Sequence, residues 1–221
     1  MRLVVIGATG GIGRAVTAQA LAADHHVTAV VRDLSRLDRE IPAAAVDLAD
    51  PDPAELRAAL AGADAVLSCV GPRRKAETGI VSRATAAITE AMRATGTRRI
   101  ITVSGIGLST VPTPARPRPL RREPGAGIAM TLFTLPLVRA VIGAHMSDVA
   151  AAEEHLGASG LDWTAVRLPR LTDGPLTGSY QVAYGTSLPR AFRLSRQDAA
   201  HFMLRAVADP HAVGRHVTVA H

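Results

Sequence analysis

The 221-residue chain predicts an α/β fold: a doubly wound parallel sheet in a single three-layer αβα domain. Three observations predict it. Apolar runs of strand length alternate with longer Ala-rich helical stretches along the chain. Apolar residues make up 48% but aromatic residues only 3%, so the core must be Ala, Val, Leu and Ile, which suits helices laid on a parallel sheet. A glycine-rich turn joins the first strand run to the first helical run.

The elements follow in order. Strands are expected at 3–6, 26–31, 43–46, 64–69, 98–103, 162–167 and 215–219. Helices are expected at 11–23, 53–61, 77–95, 146–159 and 196–208. Asp50-Pro51-Asp52-Pro53 reads as a helix start, with Pro53 near the first helical position. Gly62 and Gly96 follow helical runs and read as C-terminal caps. The loop 107–127 is rich in Pro and Arg, has no periodicity and is expected to be exposed. The apolar segment 128–145 is expected as a helix on the domain edge; sharper readings make it a lid over the substrate or a homodimer contact. Its longest apolar stretch, Ile128 to Val138, contains Pro136, precedes Arg139 and falls short of the roughly 20 residues of a bilayer span.

The net charge is +6, and of the 25 basic residues only Lys75 is lysine. Arginine suits phosphate recognition, because its planar fork binds two oxygens at once. No zinc-finger spacing or aromatic-rich RNA motif accompanies the charge, so a small molecule rather than nucleic acid is the expected partner. The single cysteine, Cys69, excludes an internal disulfide and fits a reducing compartment. Met1-Arg2 leads directly into strand sequence, so a cytoplasmic location without a membrane span is expected.

Gly7-Ala8-Thr9-Gly10-Gly11-Ile12-Gly13 follows the first strand and opens the first helix. Gly7 permits a tight turn, Gly10 lets backbone approach a pyrophosphate, and Gly13 lets helix and strand pack closely. N–H groups at the helix start, with the helix dipole, favour the phosphates. This is the signature of a Rossmann-type dinucleotide site. The second strand decides the cofactor. It ends in Arg32, where an NAD site carries an acidic side chain on the ribose hydroxyl, so a 2′-phosphate and hence NADP(H) is expected. Arg36 offers a second contact, Arg14 lies near the loop, and Asp33 reads as a turn cap. Asp47 and Leu48 after the third strand would lie beside the adenine. Cys69, Val70, Gly71 and Pro72 after the fourth would flank the nicotinamide ribose, with Cys69 read as a small hydrophobe. Ser104 ends the fifth strand, where its hydroxyl would meet the nicotinamide carboxamide or a substrate carbonyl.

The chain resembles the atypical short-chain dehydrogenase/reductases, within them the biliverdin IXβ reductase/flavin reductase proteins. The resemblance is carried by the glycine loop, Val31-Arg32-Asp33, Asp64-Ala65-Val66, Ser159 to Thr164, Pro169 to Gly178, Leu194 to Asp198 and His201 to Leu204. It implies NADPH at the loop, Arg32 and Arg36, and a nicotinamide-side Ser104. It also implies that Pro169, Arg170 and Leu171 return over the nicotinamide end. The superfamily's Tyr-x-x-x-Lys pair is missing: the tyrosines are Tyr180 and Tyr184, and Lys75 lies far upstream. The histidine that the flavin reductase relatives carry after the matching proline is Arg170 here. His145, with Asp148 nearby, lies near the expected mouth of the site. The expectation is therefore an NADPH-dependent reductase that passes hydride to a flavin (FMN or FAD as substrate), a quinone or a tetrapyrrole-like acceptor. Ser104, Arg170 and His145 are the candidate catalytic residues. The competing reading is an NADP(H)-binding redox sensor that acts through a protein partner. A sugar-nucleotide epimerase would need the missing tyrosine and a larger substrate domain.

Overall fold

In a computed structural model of the protein, residues 1–38, 40–71, 79–128 and 130–221 are described. The first strand, β1 (Arg2–Ile6), shows why the sheet lies at the centre. Leu3 and Val5 enter one hydrophobic cluster, Val4 and Ile6 another. Side chains alternate across a strand, so apolar residues at every position require cover on both faces.

Helices supply that cover. α1 (Gly11–Ala22) and α5 (Arg196–Val207) pack side by side on the first face through Val16, Ala20, Ala199 and Met203. α2 (Pro53–Leu60), α3 (Ile80–Thr95) and the end of α4 (Leu135–Ala158) cover the second through Leu60, Ile88, Met92 and Leu156. Between them run β2 (His26–Val31), β3 (Ala43–Ala45), β4 (Ala65–Ser68), β5 (Arg99–Gly105), β6 (Asp162–Leu168), β8 (Gln181–Tyr184) and β10 (Arg215–Ala220). The sheet order is β3-β2-β1-β4-β5-β6-β10-β8, parallel throughout except for the β10–β8 pair. The order reverses between β1 and β4, and that switch point opens a crevice beyond the strands' carboxyl ends. β7 (Arg170–Thr172) and β9 (Arg193–Ser195) form a separate parallel pair.

The seven expected strands and five expected helices are present, with three corrections. First, β7, β8 and β9 are additional; three or four residues give too little periodicity to read. Second, segment 128–145 is no separate edge piece. A π-helical turn, Met130–Thr134, runs into α4, which includes the expected helix 146–159. Pro136 stands just where the π-helical turn meets α4, and the helical run continues through it. The resulting run, Met130–Ala158, is long and apolar enough to cross a membrane by length and composition, unlike the stretch 128–138 alone. A kink at Ile142 (φ −129°, ψ 27°) divides it. Third, loop 107–127 is not wholly exposed: Leu108, Val111, Thr113 and Glu123 are buried. The start of the expected helix 77–95 lies outside the described residues.

Candidate functional site

A cavity of about 920 Å³ occupies the crevice at the switch point. One half is made by backbone. Gly7 has φ +75°, and a Cβ there would stand 2.9 Å from the Cys69 carbonyl oxygen. A Cβ on Gly13 would fall 2.2 Å from the Gly7 oxygen, so only glycine lets α1 sit this close to β1. The Gly10 N–H donates to the Gly7 carbonyl at 2.9 Å and closes the turn. Gly10 caps α1 without a side-chain hydrogen bond, and no acidic residue stands in the first turn. The helix thus presents unmatched N–H groups and no competing carboxylate, which suits a pyrophosphate. Gly7, Thr9, Gly10, Gly11 and Ile12 line the cavity; Ala8 is buried beneath the loop, and Gly13 serves the helix–strand contact.

The other expected residues divide as follows. Arg32, Asp47, Leu48, Cys69, Val70 and Gly71 line the cavity beside the loop. Arg36 does not: it lies in an exposed turn, Leu34–Arg36. Asp33 caps that turn, accepting from the Ser35 N–H at 3.0 Å and the Ser35 hydroxyl at 2.6 Å, and those bonds draw its pKa down. Arg14 pairs at the surface with Asp38, 3.1 Å away. Pro72 and Lys75 lie outside the described residues. Cys69 keeps some exposure on the cavity wall, but protein atoms crowd its sulfur and desolvation pushes the thiol up to about 12.

Ser104, His145, Pro169, Arg170 and Leu171 line the far half. The Ser104 hydroxyl donates to Glu153 Oε1 at 2.5 Å. Burial alone would raise the Glu153 carboxyl, but His216 and the Arg167 guanidinium outweigh it and hold it at about 2. An ionised carboxylate only accepts, so it takes the one proton that Ser104 has to donate. Ser104 thus presents an acceptor to the cavity, which suits a carboxamide N–H better than a substrate carbonyl. His145 is half-buried, and desolvation lowers its pKa against a smaller opposing pull from Asp148. Asp148 itself is committed to α3: it accepts from the Val81 and Ser82 N–H groups at 3.0 Å each and from the Ser82 hydroxyl at 2.6 Å. It supplies the cap that Gly79 lacks.

Behind Ser104 lies a buried ion network with no role in the sequence reading. Arg167 donates from Nε and Nη2 to the two oxygens of Glu153, at 3.0 and 2.7 Å, and from Nη1 to Glu123 Oε1 at 2.7 Å. The Arg167 and Glu153 side chains are 7% exposed and that of Glu123 2%. Glu123 also accepts from the Ser109 N–H and hydroxyl within loop 107–127, and Arg167, which donates to both Glu123 and the Ser109 hydroxyl, ties that loop to the domain. His216 Nδ1 stands 3.4 Å from Glu153. One signal did exist: a central strand is covered on both faces, so Arg167, amid Val166 and Leu168, must be buried and must have partners. A second unassigned residue is Arg196. Its side chain lies across Gly11, where a Cβ would come within 2.7 Å of its Cδ, and it pairs with Asp173. It is a cation placed over the glycine loop.

Neither tyrosine lines the cavity. The Tyr180 hydroxyl lies 2.8 Å from His201 Nδ1, and Tyr184 donates to Asp209 at 2.7 Å. A smaller depression of about 390 Å³ at the amino ends of β1 and β2 holds none of the expected site residues.

Comparison with known proteins agrees with this geometry. A short-chain dehydrogenase/reductase of Veillonella parvula DSM 2008 in complex with NADP superposes with a TM-score of 0.76 at 21% identity, covering 100% of this chain and 94% of that one. A Streptococcus pneumoniae TIGR4 protein, provisionally named an NADH-flavin reductase, gives 0.74 at 22% identity, with 100% and 99% covered. A Burkholderia pseudomallei protein, provisionally described as exported, gives 0.75 at 26% identity over 100% of both chains. The family model described as NAD(P)H-binding matches residues 7–210, glycine loop included, and the chain belongs to that family.

Proposed function

We propose that this protein is an NADPH-dependent reductase that transfers hydride to a flavin, quinone or tetrapyrrole-like acceptor without a tyrosine–lysine pair. The observation that carries this reading is the cavity itself: a complete dinucleotide cradle continues into an apolar chamber whose described wall contains no tyrosine. The chamber is lined by Val103, Leu108, Val138, Met146, Leu168 and Phe192. It suits a flat, ring-bearing acceptor better than a sugar.

The residues present fit the cofactor. The loop N–H groups and Arg196 face the place of the pyrophosphate, and Arg32 the place of a 2′-phosphate. Asp47 and Leu48, on the cavity wall beside the loop, would flank the adenine. Ser104, held as an acceptor by Glu153, suits a carboxamide N–H. Bound NADPH supplies the hydride. The apolar wall excludes water from the transfer and holds the acceptor's ring against the cofactor. Exposed Arg170, at the mouth, orients an anionic group on the acceptor, and the balancing proton comes from solvent. His145, with its pKa lowered, is neutral at neutral pH and serves as a wall residue rather than an acid.

The test is NADPH oxidation by purified protein with FMN, FAD and a short-chain quinone supplied in turn. The reading expects turnover with at least one. NADP(H) binding with no turnover across such a panel would favour the redox-sensor reading.

A further inference from the structure

The acceptor chamber and the outer surface share one wall. Thr134, Val138 and Ile142 face the cavity from the first half of α4 and the turn before it. The other side of that segment is apolar and uncovered: Leu132, Phe133, Leu137 and Val141 are 58%, 73%, 68% and 67% exposed. Phe133, Leu137 and Val141 recur every four residues and so form one stripe.

The second half of α4 is committed to the domain. Met146, Val149 and Leu156 are buried, Asp148 caps α3, and Glu153 sits in the ion network. The kink at Ile142 separates the halves. Met130–Ala158 as a whole has the length to cross a bilayer, but the exposed stripe ends at Val141, and even before the kink Met130 and Leu135 are buried in the domain. Only one face of about 13 residues is exposed, against the roughly 20 free residues a crossing needs, so this segment can lie on a membrane surface but not span it.

The charge beside it selects the surface. From Gly107 to Ser147 the chain carries Arg116, Arg118, Arg121, Arg122 and Arg139 and a single carboxylate, Glu123. Glu123 is buried on Arg167, whereas Arg118, Arg121, Arg122 and Arg139 are exposed. A second copy of this chain carries the same net positive charge in this region. A bilayer with anionic headgroups accepts both the stripe and the charge.

We propose that the 130–142 segment docks on an anionic bilayer surface and that the acceptor enters from there as a membrane-borne quinone. The second part rests on the reductase reading above. The quinone ring gains a hydride from NADPH and a proton from water, leaving hydroquinone and NADP⁺.

The experiment is flotation of the full chain with equimolar phosphatidylglycerol–phosphatidylcholine vesicles and with pure phosphatidylcholine vesicles. The wild type floats with the first, and at least about tenfold less with the second. Phe133→Ser/Leu137→Ser, at positions that do not line the cavity, loses flotation by a similar factor while keeping the wild-type Tm and NADPH titration. Arg121→Ser/Arg122→Ser, in the loop, weakens it by about tenfold and provides an independent arm should the first variant misfold. No flotation of the wild type with anionic vesicles overturns the proposal. So does equal flotation by both variants, or sedimentation showing a wild-type dimer that Phe133→Ser/Leu137→Ser dissolves. Turnover then separates the two readings. Wild type and Phe133→Ser/Leu137→Ser reduce a soluble quinone equally, and only the wild type reduces a vesicle-embedded one well. Flotation without turnover of either quinone overturns the quinone part of the proposal, and the reductase reading too only if FMN and FAD also fail; turnover of soluble quinone without flotation overturns the docking surface alone.

Discussion

The two halves of the cavity are built by different means. The cofactor half is backbone: four glycines within seven consecutive residues, one at φ +75° and one so close to a carbonyl that a Cβ has no room. The far half is backed by side chains from distant segments: Ser104 on β5, which lines it, and behind it Glu123 in the loop, Glu153 on α4, Arg167 on β6 and His216 on β10. A site made from local backbone geometry is written in one stretch of sequence. A site made from a buried charge network exists only after folding has brought five segments together.

If the halves are separable, variants should divide between stability and binding. Arg167→Met should have the largest effect. It leaves two buried carboxylates without their cation, and breaking such a pair typically costs about 3–5 kcal/mol. Thermal unfolding should show a large fall in Tm, while the NADPH Kd, measured where the variant is still folded, stays near the wild-type value. A parallel loss of NADPH affinity would show that the halves are one unit.

The same network predicts an acid limb of stability. The Glu153 carboxyl is depressed from an ordinary 4.5 to about 2 in the folded protein. Its contribution is therefore fully present above about 4.5 and is lost as pH falls toward 2, of order 3 kcal/mol in all. Chemical denaturation across that window should show a shallower decline in Glu153→Gln than in the wild type. Identical slopes would remove Glu153 from the account.

Arg32→Glu probes the other half. It removes a charge-assisted contact to a 2′-phosphate and adds repulsion, so NADPH affinity should fall by about 10- to 100-fold. Tm without ligand and NADH affinity should change little, because Arg32 is exposed. Equal loss for both cofactors would sink the assignment of Arg32. Cys69→Ala should do least. With its thiol at about 12, Cys69 should resist alkylation near neutral pH, and the variant should bind NADPH within about twofold of the wild type.

The same division explains what was legible beforehand. Strand and helix periods located the central elements, because both faces of β1 and the inner faces of α1, α3 and α5 are apolar at the right spacing. Asp33 was readable as a cap from its place before Leu34-Ser35-Arg36. Ser104 was found at the strand end, but its role changed because Glu153, 49 positions away, takes its proton. Glu123 and Glu153 carry no signal in the sequence, since a carboxylate in a loop or on a helix is usually a surface charge. Pro136 lies inside the apolar stretch, yet the helical run continues through it from the π-helical turn into α4. Arg36 lies four residues beyond Arg32, but the turn that Asp33 caps keeps it off the cavity wall.

The central claim is hydride transfer without a tyrosine acid. The most direct measurement is kcat/KM for NADPH-dependent reduction of a soluble quinone or flavin by Tyr180→Phe/Tyr184→Phe, both hydroxyls being engaged away from the cavity. The account predicts a value within about twofold of the wild type. A fall of about a hundredfold or more, the usual scale on losing a general acid, would contradict it.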